Sequence, residues 1–297
     1  ELIVPREQRN GYDHAVRAAG ATLVEVGFHE PVAGSGVRRC EAWEIAAAIG
    51  PQTAGVFYVH DARARPPLAE VIAVAHARGL PVLVDAAGDL PPRSNLRSLI
   101  AAGADLVAFS GGKAIRGPQA TGILCGRRDL VGAAALQMLD LNDHYELWEP
   151  PPQLIDKRRL SGLPRHGIGR GFKVAKEQIV ALLAALRLFV SGAYDADLPV
   201  MRSHLARVAS GLADLPVECR FVETPDGQSP PLLEIDVSRS PGLDAFALCR
   251  RLRHGSPPVY VAHGRLHEGI LGIHPLHLTD QRTADLVRCL RAAIAGR

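Results

Sequence analysis

Over the first ~130 residues, short Val/Leu/Ile-rich runs alternate with helix-period stretches at the spacing of a parallel α/β layer, and few other architectures accept that rhythm. Residues 2–4, 22–26, 55–59, 82–84, 106–109 and 121–125 are the six candidate strands. Residues 11–19, 39–49, 67–78 and 94–101 carry apolar side chains at helical period between them. Gly20, Gly50, Gly79 and Gly103 fall where left-handed helix caps belong. Continuously apolar strands predict a sheet covered on both faces, and such a sheet binds ligands at the carboxyl ends of its strands.

Residues 138–170 break the pattern with Pro150-Pro151-Pro152 and the polar run Asp156-Lys157-Arg158-Arg159, a long irregular excursion of the kind that serves as a lid or binding segment. A helix is expected over 173–189, with Ile179, Leu182, Leu183 and Leu186 as its apolar stripe. After residue 200 the spacing predicts a helix (200–212), strands (218–223 and 232–237), a helix (243–252), strands (259–262 and 270–273) and a last helix (279–295). The expected organisation is a large α/β domain over 1–172, with a mainly parallel sheet, followed by a bridging helix and a smaller α/β domain over 173–297.

Two strand ends carry chemistry. The run 104–108 leads into Phe109-Ser110-Gly111-Gly112-Lys113, which offers a lysine on a glycine turn, and the run 80–84 ends in Asp85-Ala86-Ala87. An amine at one strand end and a carboxylate at its neighbour suit pyridoxal phosphate, which needs a Schiff-base lysine and an anion that keeps its ring nitrogen protonated. Ala87 is small enough for a flat ring to lie against the strand, Ser110 and the glycine-turn N–H groups suit a phosphate, and Gln119 and Thr121 follow a Gly-Pro turn within reach of a cofactor or a neighbouring subunit. Taken singly, Lys113 also reads as a solvated turn lysine, Asp85 as a capping residue and Ser110 as a turn serine. A phosphate-loop lysine is ruled out, because Ala114 stands where Ser or Thr is required. Arg165, His166, Arg170, Lys173 and Lys176 gather basic or His side chains at a helix start and the loop before it, which fits an anion site for substrate or a solvated cationic face. His263, His267, His274 and His277 do not complete an HExxH pattern and read as ordinary surface histidines, so no metal site is expected.

Aromatic residues make up 5% of the chain and 34 Lys and Arg face 31 Asp and Glu, so neither stacking platforms nor a large cationic field is present for a nucleic acid. Five scattered cysteines without a CxxC pair argue for a reducing compartment and hence the cytoplasm. No apolar run reaches a membrane span's length, and no signal-peptide pattern opens the chain. Glu1-Leu2-Ile3-Val4-Pro5 reads as a strand already under way, which suggests that the sequence starts inside a larger protein.

Val84-Asp85-Ala86-Ala87, Ser110-Gly111-Gly112-Lys113, Arg116-Gly117-Pro118-Gln119 and Arg165-His166-Gly167-Ile168-Gly169-Arg170 are fairly specific taken together. With them the chain resembles the selenocysteine-synthase-like group of fold type I pyridoxal phosphate enzymes, most of all its D-glucosaminate-6-phosphate ammonia-lyase branch. The long 138–170 insertion and the run 164–170 that closes it favour that branch over the L-seryl-tRNA selenium transferases, which have an arginine where Lys173 stands. The resemblance implies Lys113 as the lysine bound to the cofactor, Asp85 as the partner of its ring nitrogen, and Arg170 with Lys173 in an anion pocket. It also implies a homodimer or higher oligomer, a small amino acid or amino sugar acid as substrate, and an α,β-elimination giving a 2-keto acid and ammonia. Selenium transfer on a charged tRNA and a non-catalytic protein of the same fold are the alternatives; balanced charge argues against a tRNA partner. Members of the group also use an N-terminal phosphate loop and a ring-stacking residue, neither of which is found in this sequence.

Overall fold

The computed structural model describes residues 1–28, 39–61, 64–223, 228–240 and 242–296. All six expected strands form: β1 (Leu2–Pro5), β2 (Leu23–Val26), β3 (Gly55–Val59), β4 (Val82–Asp85), β5 (Leu106–Ser110) and β6 (Gly122–Gly126). They make one sheet in the order β2-β1-β3-β4-β5-β6, parallel except for β6, which runs antiparallel beside β5. Helices α1 (His14–Ala18), α2 (Ala42–Ala48), α3 (Leu68–His76) and α4 (Asn95–Ala101) occupy the expected intervals. Ile3, Val56, Val82, Val84 and Val107 are completely buried, as are Ile45 of α2 and Val71 of α3. Each such side chain contributes roughly 1.5–3 kcal/mol by leaving water, which is why the apolar runs, rather than local propensity, dictate the sheet.

Register is what matters for a site. Val59 pairs with Asp85, and Asp85 with Ala108, so β3 and β4 end at one level of the sheet and β5 runs two residues further, to Ser110. Chain order reverses at β1: the chain goes outward to β2 and returns on the other side as β3, which leaves a crevice between the carboxyl ends of β1 and β3.

Several local expectations are corrected. Gly20, Gly79 and Gly103 have positive φ, whereas Gly50 does not, because α2 is terminated by extended backbone at Ile49. Helix α5 (Arg128–Gln137) forms where none was expected. Its interior Gly132 lowers helix propensity, yet a Cβ there would lie 2.5 Å from the Leu154 carbonyl oxygen, so packing against the 138–170 segment requires the glycine. In α6 (Lys176–Ser191) the buried face is Leu182, Ala185 and Phe189, while Ile179 and Leu183 of the expected stripe remain 46% and 50% exposed.

The chain divides into two compact units, Glu1–Phe189 and Val190–Arg297; the division expected at 172/173 falls instead in the last turn of α6. The second unit contains α7 (Asp197–Ser210), β7 (Glu218–Val222), β8 (Leu232–Asp236), α8 (Ala245–His254), β9 (Ile270–Ile273) and α9 (Asp280–Ile294), with an antiparallel sheet ordered β7-β8-β9. Its core gathers Leu205, Leu233, Ile235, Leu248, Leu271 and Leu290. The strand expected at 259–262 is reduced to one bridge, Ala262 to Gly272, since Pro257 and Pro258 supply no backbone donors before it. Among the described residues no single helix is long and apolar enough to cross a membrane.

At the amino-terminal end of the sheet, away from the strand ends that bear Lys113, buried Asp105 ties three segments together. It accepts from the Val82 N–H at 2.8 Å and from Arg127 at 3.1 Å, and its carboxylate lies 2.8 Å from His76 Nε2. Burial pushes the Asp105 carboxyl up, but the bonds from His76, Val82 and Arg127 outweigh it and hold the group below its ordinary value. A carboxylate depressed in the folded state adds stability above its unfolded pKa and loses it as the pH falls through the folded one. Asp105→Ala is therefore expected to cost about 2–3 kcal/mol in urea unfolding at pH 7 and to flatten the acid limb of stability below about pH 4. An unchanged urea midpoint would show that the triple contact carries no stability.

Candidate functional site

Beyond β5 the chain turns sharply through Gly111 and Gly112. The Gly111 N–H donates to the Thr121 carbonyl at 2.9 Å, Gly117 N–H to the Gly111 carbonyl at 2.8 Å, and Arg116 N–H to the Lys113 carbonyl at 2.8 Å. A Cβ on Gly112 would meet the Gln119 Cα at 2.7 Å, and one on Gly111 or Gly117 would meet Leu182 of α6 at 2.8 or 3.0 Å. Both glycines are thus demanded by close packing of the turn, and Arg116 is held at φ +60, a conformation that costs a non-glycine residue roughly 1–2 kcal/mol. The outcome is an exposed Lys113 on a tightly constrained turn.

Lys113 and Asp85 line one cleft of about 520 Å³ together with Asn10, Tyr12, His60, Ala87, Gly88 and Asp89. The Asp85 Oδ1 accepts the Ala87 N–H at 2.9 Å, which orients the carboxylate at the end of β4. Lys113 Nζ makes no hydrogen bond or ion pair among the described residues and stands 5.8 Å from the centre of the Tyr12 ring. A Cβ on Gly88 would lie 4.0 Å from that nitrogen. Across the cleft, His60 Nδ1 and Asp89 Oδ2 are 2.6 Å apart, though not aligned as a hydrogen bond, and the same Asp89 oxygen accepts from Asn95 at 2.9 Å.

Tyr12 is delivered by a single 3-10 turn, Gly11–Asp13, capped by Asn10, whose side-chain oxygen accepts the Tyr12 N–H at 2.8 Å. Buried Asp13 secures the turn through Arg9 and Arg17; the bond from Arg9 is the main reason its carboxyl lies below its ordinary value. On the β3 side, Gln8 accepts the Val59 N–H at 2.8 Å and buried Tyr58 donates to the Pro66 carbonyl at 2.9 Å, while burial pushes the Tyr58 phenol up to about 12.

Of the residues singled out in the sequence, the structure brings Asp85, Ala87 and Lys113 together. Ser110 ends β5 opposite Gly122, Gln119 packs against Gly112, and the Thr121 hydroxyl donates to the Pro118 carbonyl at 2.6 Å; none of the three lines the cleft. Arg165, His166, Arg170 and Lys173 are exposed and are also not among its lining residues. Arg170 lies 3.5 Å from Asp140, whose Oδ1 accepts the His166 N–H at 3.4 Å, so this stretch is tied to the segment after α5. Tyr12, His60 and Asp89 went unrecognised in the sequence. The available signal was that Val59-His60-Asp61 ends a buried strand, as Val84-Asp85 does.

A carboxylate and a lysine amine that have no ion-pair partner among the described residues, set in one cleft at parallel strand ends, fit pyridoxal phosphate at its ring nitrogen and aldehyde ends. Among the described residues neither Asp85 nor Lys113 is in an ion pair that a flat cationic ring would have to break.

Comparison with known proteins agrees with this fold. Residues 13–142 match the family model described as L-seryl-tRNA selenium transferase. A 5'-C-glycyluridine monooxygenase-decarboxylase from a Streptomyces species is 28% identical over 93% of this chain and 64% of its own length. The D-glucosaminate-6-phosphate ammonia lyase of Salmonella typhimurium is 27% identical over 93% of this chain and 65% of its own. The chain thus spans slightly under two thirds of these relatives. A solved D-glucosaminate-6-phosphate ammonia-lyase structure superposes with a TM-score of 0.73 at 24% identity, covering 99% of this chain and 71% of that one, and shows the same fold. Residues 13–142 are thus similar to the family described as L-seryl-tRNA selenium transferase, and the chain shares the fold of the solved D-glucosaminate-6-phosphate ammonia-lyase.

Proposed function

We propose that this protein is a pyridoxal-phosphate-dependent lyase that removes a β-hydroxyl and then ammonia from a small amino acid or amino sugar acid, such as D-glucosaminate 6-phosphate, giving a 2-keto acid. The observation that carries the reading is the shared cleft of Asp85 and Lys113, with the lysine amine exposed and without a hydrogen-bond or ion-pair partner among the described residues. The named activity of the Salmonella relative supports the reaction class. When bound, the cofactor supplies an electron sink for the carbon next to the amine. Lys113 would hold the cofactor covalently, and its amine would take the proton from that carbon. Asp85 keeps the ring nitrogen protonated, and the Ala87 N–H keeps Asp85 oriented for that task. Tyr12 flanks the lysine side of the cleft, its ring centre 5.8 Å from the Lys113 amine.

A homodimer is part of the proposal. Tyr12, Ile168 and Phe172 are 76%, 51% and 73% exposed around an apolar groove, and exposed apolar side chains of this size are what subunit contacts cover.

The test is to add pyridoxal phosphate to the purified full-length protein, reduce with borohydride, map the modified peptide, and then screen amino sugar acids for ammonia release. The expected result is modification at Lys113 and stoichiometric ammonia without oxygen uptake. Carbon dioxide release with oxygen consumption would instead assign the chemistry named for the Streptomyces relative, and salt-sensitive binding of a charged tRNA would favour selenium transfer. No cofactor uptake at all would leave a non-catalytic protein of this fold.

A further inference from the structure

The Lys113 cleft holds one imidazole that the proposed reaction leaves idle. His60 directly follows β3, and its N–H donates to the Asp85 carbonyl at 2.9 Å, so its backbone is fixed against the end of β4. Lys113 follows β5, on the other side of β4. The strand that bears Asp85 therefore separates an imidazole from an amine, and all three groups open on one cleft. The imidazole is anchored on one side. Its Nδ1 is buried and lies 2.6 Å from Asp89 Oδ2, and the two side chains are only 20% and 14% exposed. Nε2, at the opposite edge of the ring, makes no hydrogen bond or ion pair among the described residues. Asp89 is itself held from behind: Asn95, at the start of α4, donates to its Oδ2 and to its carbonyl, both at 2.9 Å, and the Asp89 N–H donates to the Ala86 carbonyl at 3.1 Å. A carboxylate set against one ring nitrogen leaves the other to meet a ligand, which is how imidazoles that move protons are arranged.

We infer that His60 is the acid that protonates the departing β-hydroxyl, with Asp89 as its positioning residue. The inference rests on the lyase reading for the identity of the leaving group. Hydroxide leaves carbon poorly and water leaves it well, while the Lys113 amine is occupied with the proton of the neighbouring carbon. In this step the bond from the β-carbon to oxygen breaks and its electron pair goes to oxygen. The proton on His60 Nε2 forms the new O–H bond. The electron pair left on the neighbouring carbon, once Lys113 has taken its proton, becomes the carbon–carbon double bond. Water departs, and His60 regains a proton from solvent. The Tyr12 hydroxyl is the other O–H group lining the cleft, but that side chain is 76% exposed and its hydroxyl makes no hydrogen bond among the described residues, so nothing aims it.

Exchanging the leaving group separates this role from a structural one. The full-length protein with pyridoxal phosphate is assayed for ammonia release from D-glucosaminate 6-phosphate, which loses a hydroxyl, and from 3-chloro-D-alanine, whose chloride departs without a proton. His60→Gln is expected to slow the first reaction at least about 10²-fold and the second less than about threefold. Asp89→Asn should show the same selectivity, at about tenfold or more. A second readout needs neither cofactor nor turnover: in protein carrying nitrogen-15 histidine, the ring signals that vanish in His60→Gln are expected to show a proton on Nδ1, and Asp89→Asn should shift them. Equal losses on the two compounds, or none, would overturn the inference. So would selectivity that appears in Tyr12→Phe and not in His60→Gln, chloride loss by the wild-type protein without hydroxyl loss, or an Nδ1 that carries no proton. Weaker uptake of pyridoxal phosphate by His60→Gln without leaving-group selectivity would assign the imidazole to the cofactor and overturn it too. The lyase reading is tested apart from this by Lys113→Ala, which should lose both reactions. Full activity in that variant, or no ammonia from either compound with the wild-type protein, would sink the lyase reading and the inference with it, whereas unselective losses in His60→Gln beside an inactive Lys113→Ala would sink the inference alone.

Discussion

Lys113→Ala is expected to abolish borohydride-trapped cofactor at this position and to lower turnover by at least about 10³-fold, because one side chain provides both covalent attachment and the proton-accepting amine. The fold should be indifferent to the change. The side chain is exposed and, among the described residues, forms no hydrogen bond or ion pair, so urea unfolding should move by no more than about 0.5 kcal/mol. Lys113→Arg should be as inactive as alanine, since a guanidinium stays protonated and cannot accept the proton. Added methylamine should restore part of the alanine variant's rate and none of the arginine variant's, because only the shorter side chain leaves room for a small amine beside Gly88. Wild-type turnover in Lys113→Ala would end the catalytic assignment.

The second large effect is expected at Asp85. Asp85→Asn preserves size and an oxygen that can still accept the Ala87 N–H, so it removes charge while leaving the end of β4 in place. Turnover should fall about 10²–10³-fold, the range seen when a single stabilising electrostatic group is deleted from an active site. Borohydride labelling of Lys113 should persist, since the lysine is presented by its own glycine turn and not by Asp85. Asp85→Ala should be at least as impaired and should also loosen the turn after β4, where the Ala87 N–H loses its acceptor. Equal turnover in wild type and Asp85→Asn would mean that the carboxylate does not face the cofactor ring.

The two sites lie beside a fold whose parallel sheet was unusually legible. A strand buried on both faces must be apolar along its whole length, so the runs that became β1, β3, β4 and β5 announce themselves without any neighbour being known. Lys113 and Asp85 were legible for the same reason, as each directly follows or ends such a run. Helix α5 was not, because Gly132 reads as a breaker until Leu154 is seen to pack on it. The buried face of α6 was misread because Ile179, Leu182, Leu183 and Leu186 are equally apolar, and only the glycine turn around Lys113 selects Leu182 for burial.

What the sequence determined by itself, then, is the set of strands, their parallel character and the two chemical groups at their ends, all consequences of local pattern and burial. Only the tertiary structure decided which distant residues join those groups. Tyr12 comes from a turn after β1, His60 from the end of β3 and Asp89 from the segment after β4, and they meet because the register of the parallel strands brings the carboxyl ends of β3 and β4 to one level beside β5. The same geometry leaves Arg165, His166, Arg170 and Lys173 off the lining of the cleft. Charge clustered along a chain indicates that an anion could be bound. Which charged side chains come to line a cleft depends on strand order, because no one-dimensional pattern records which strands become neighbours.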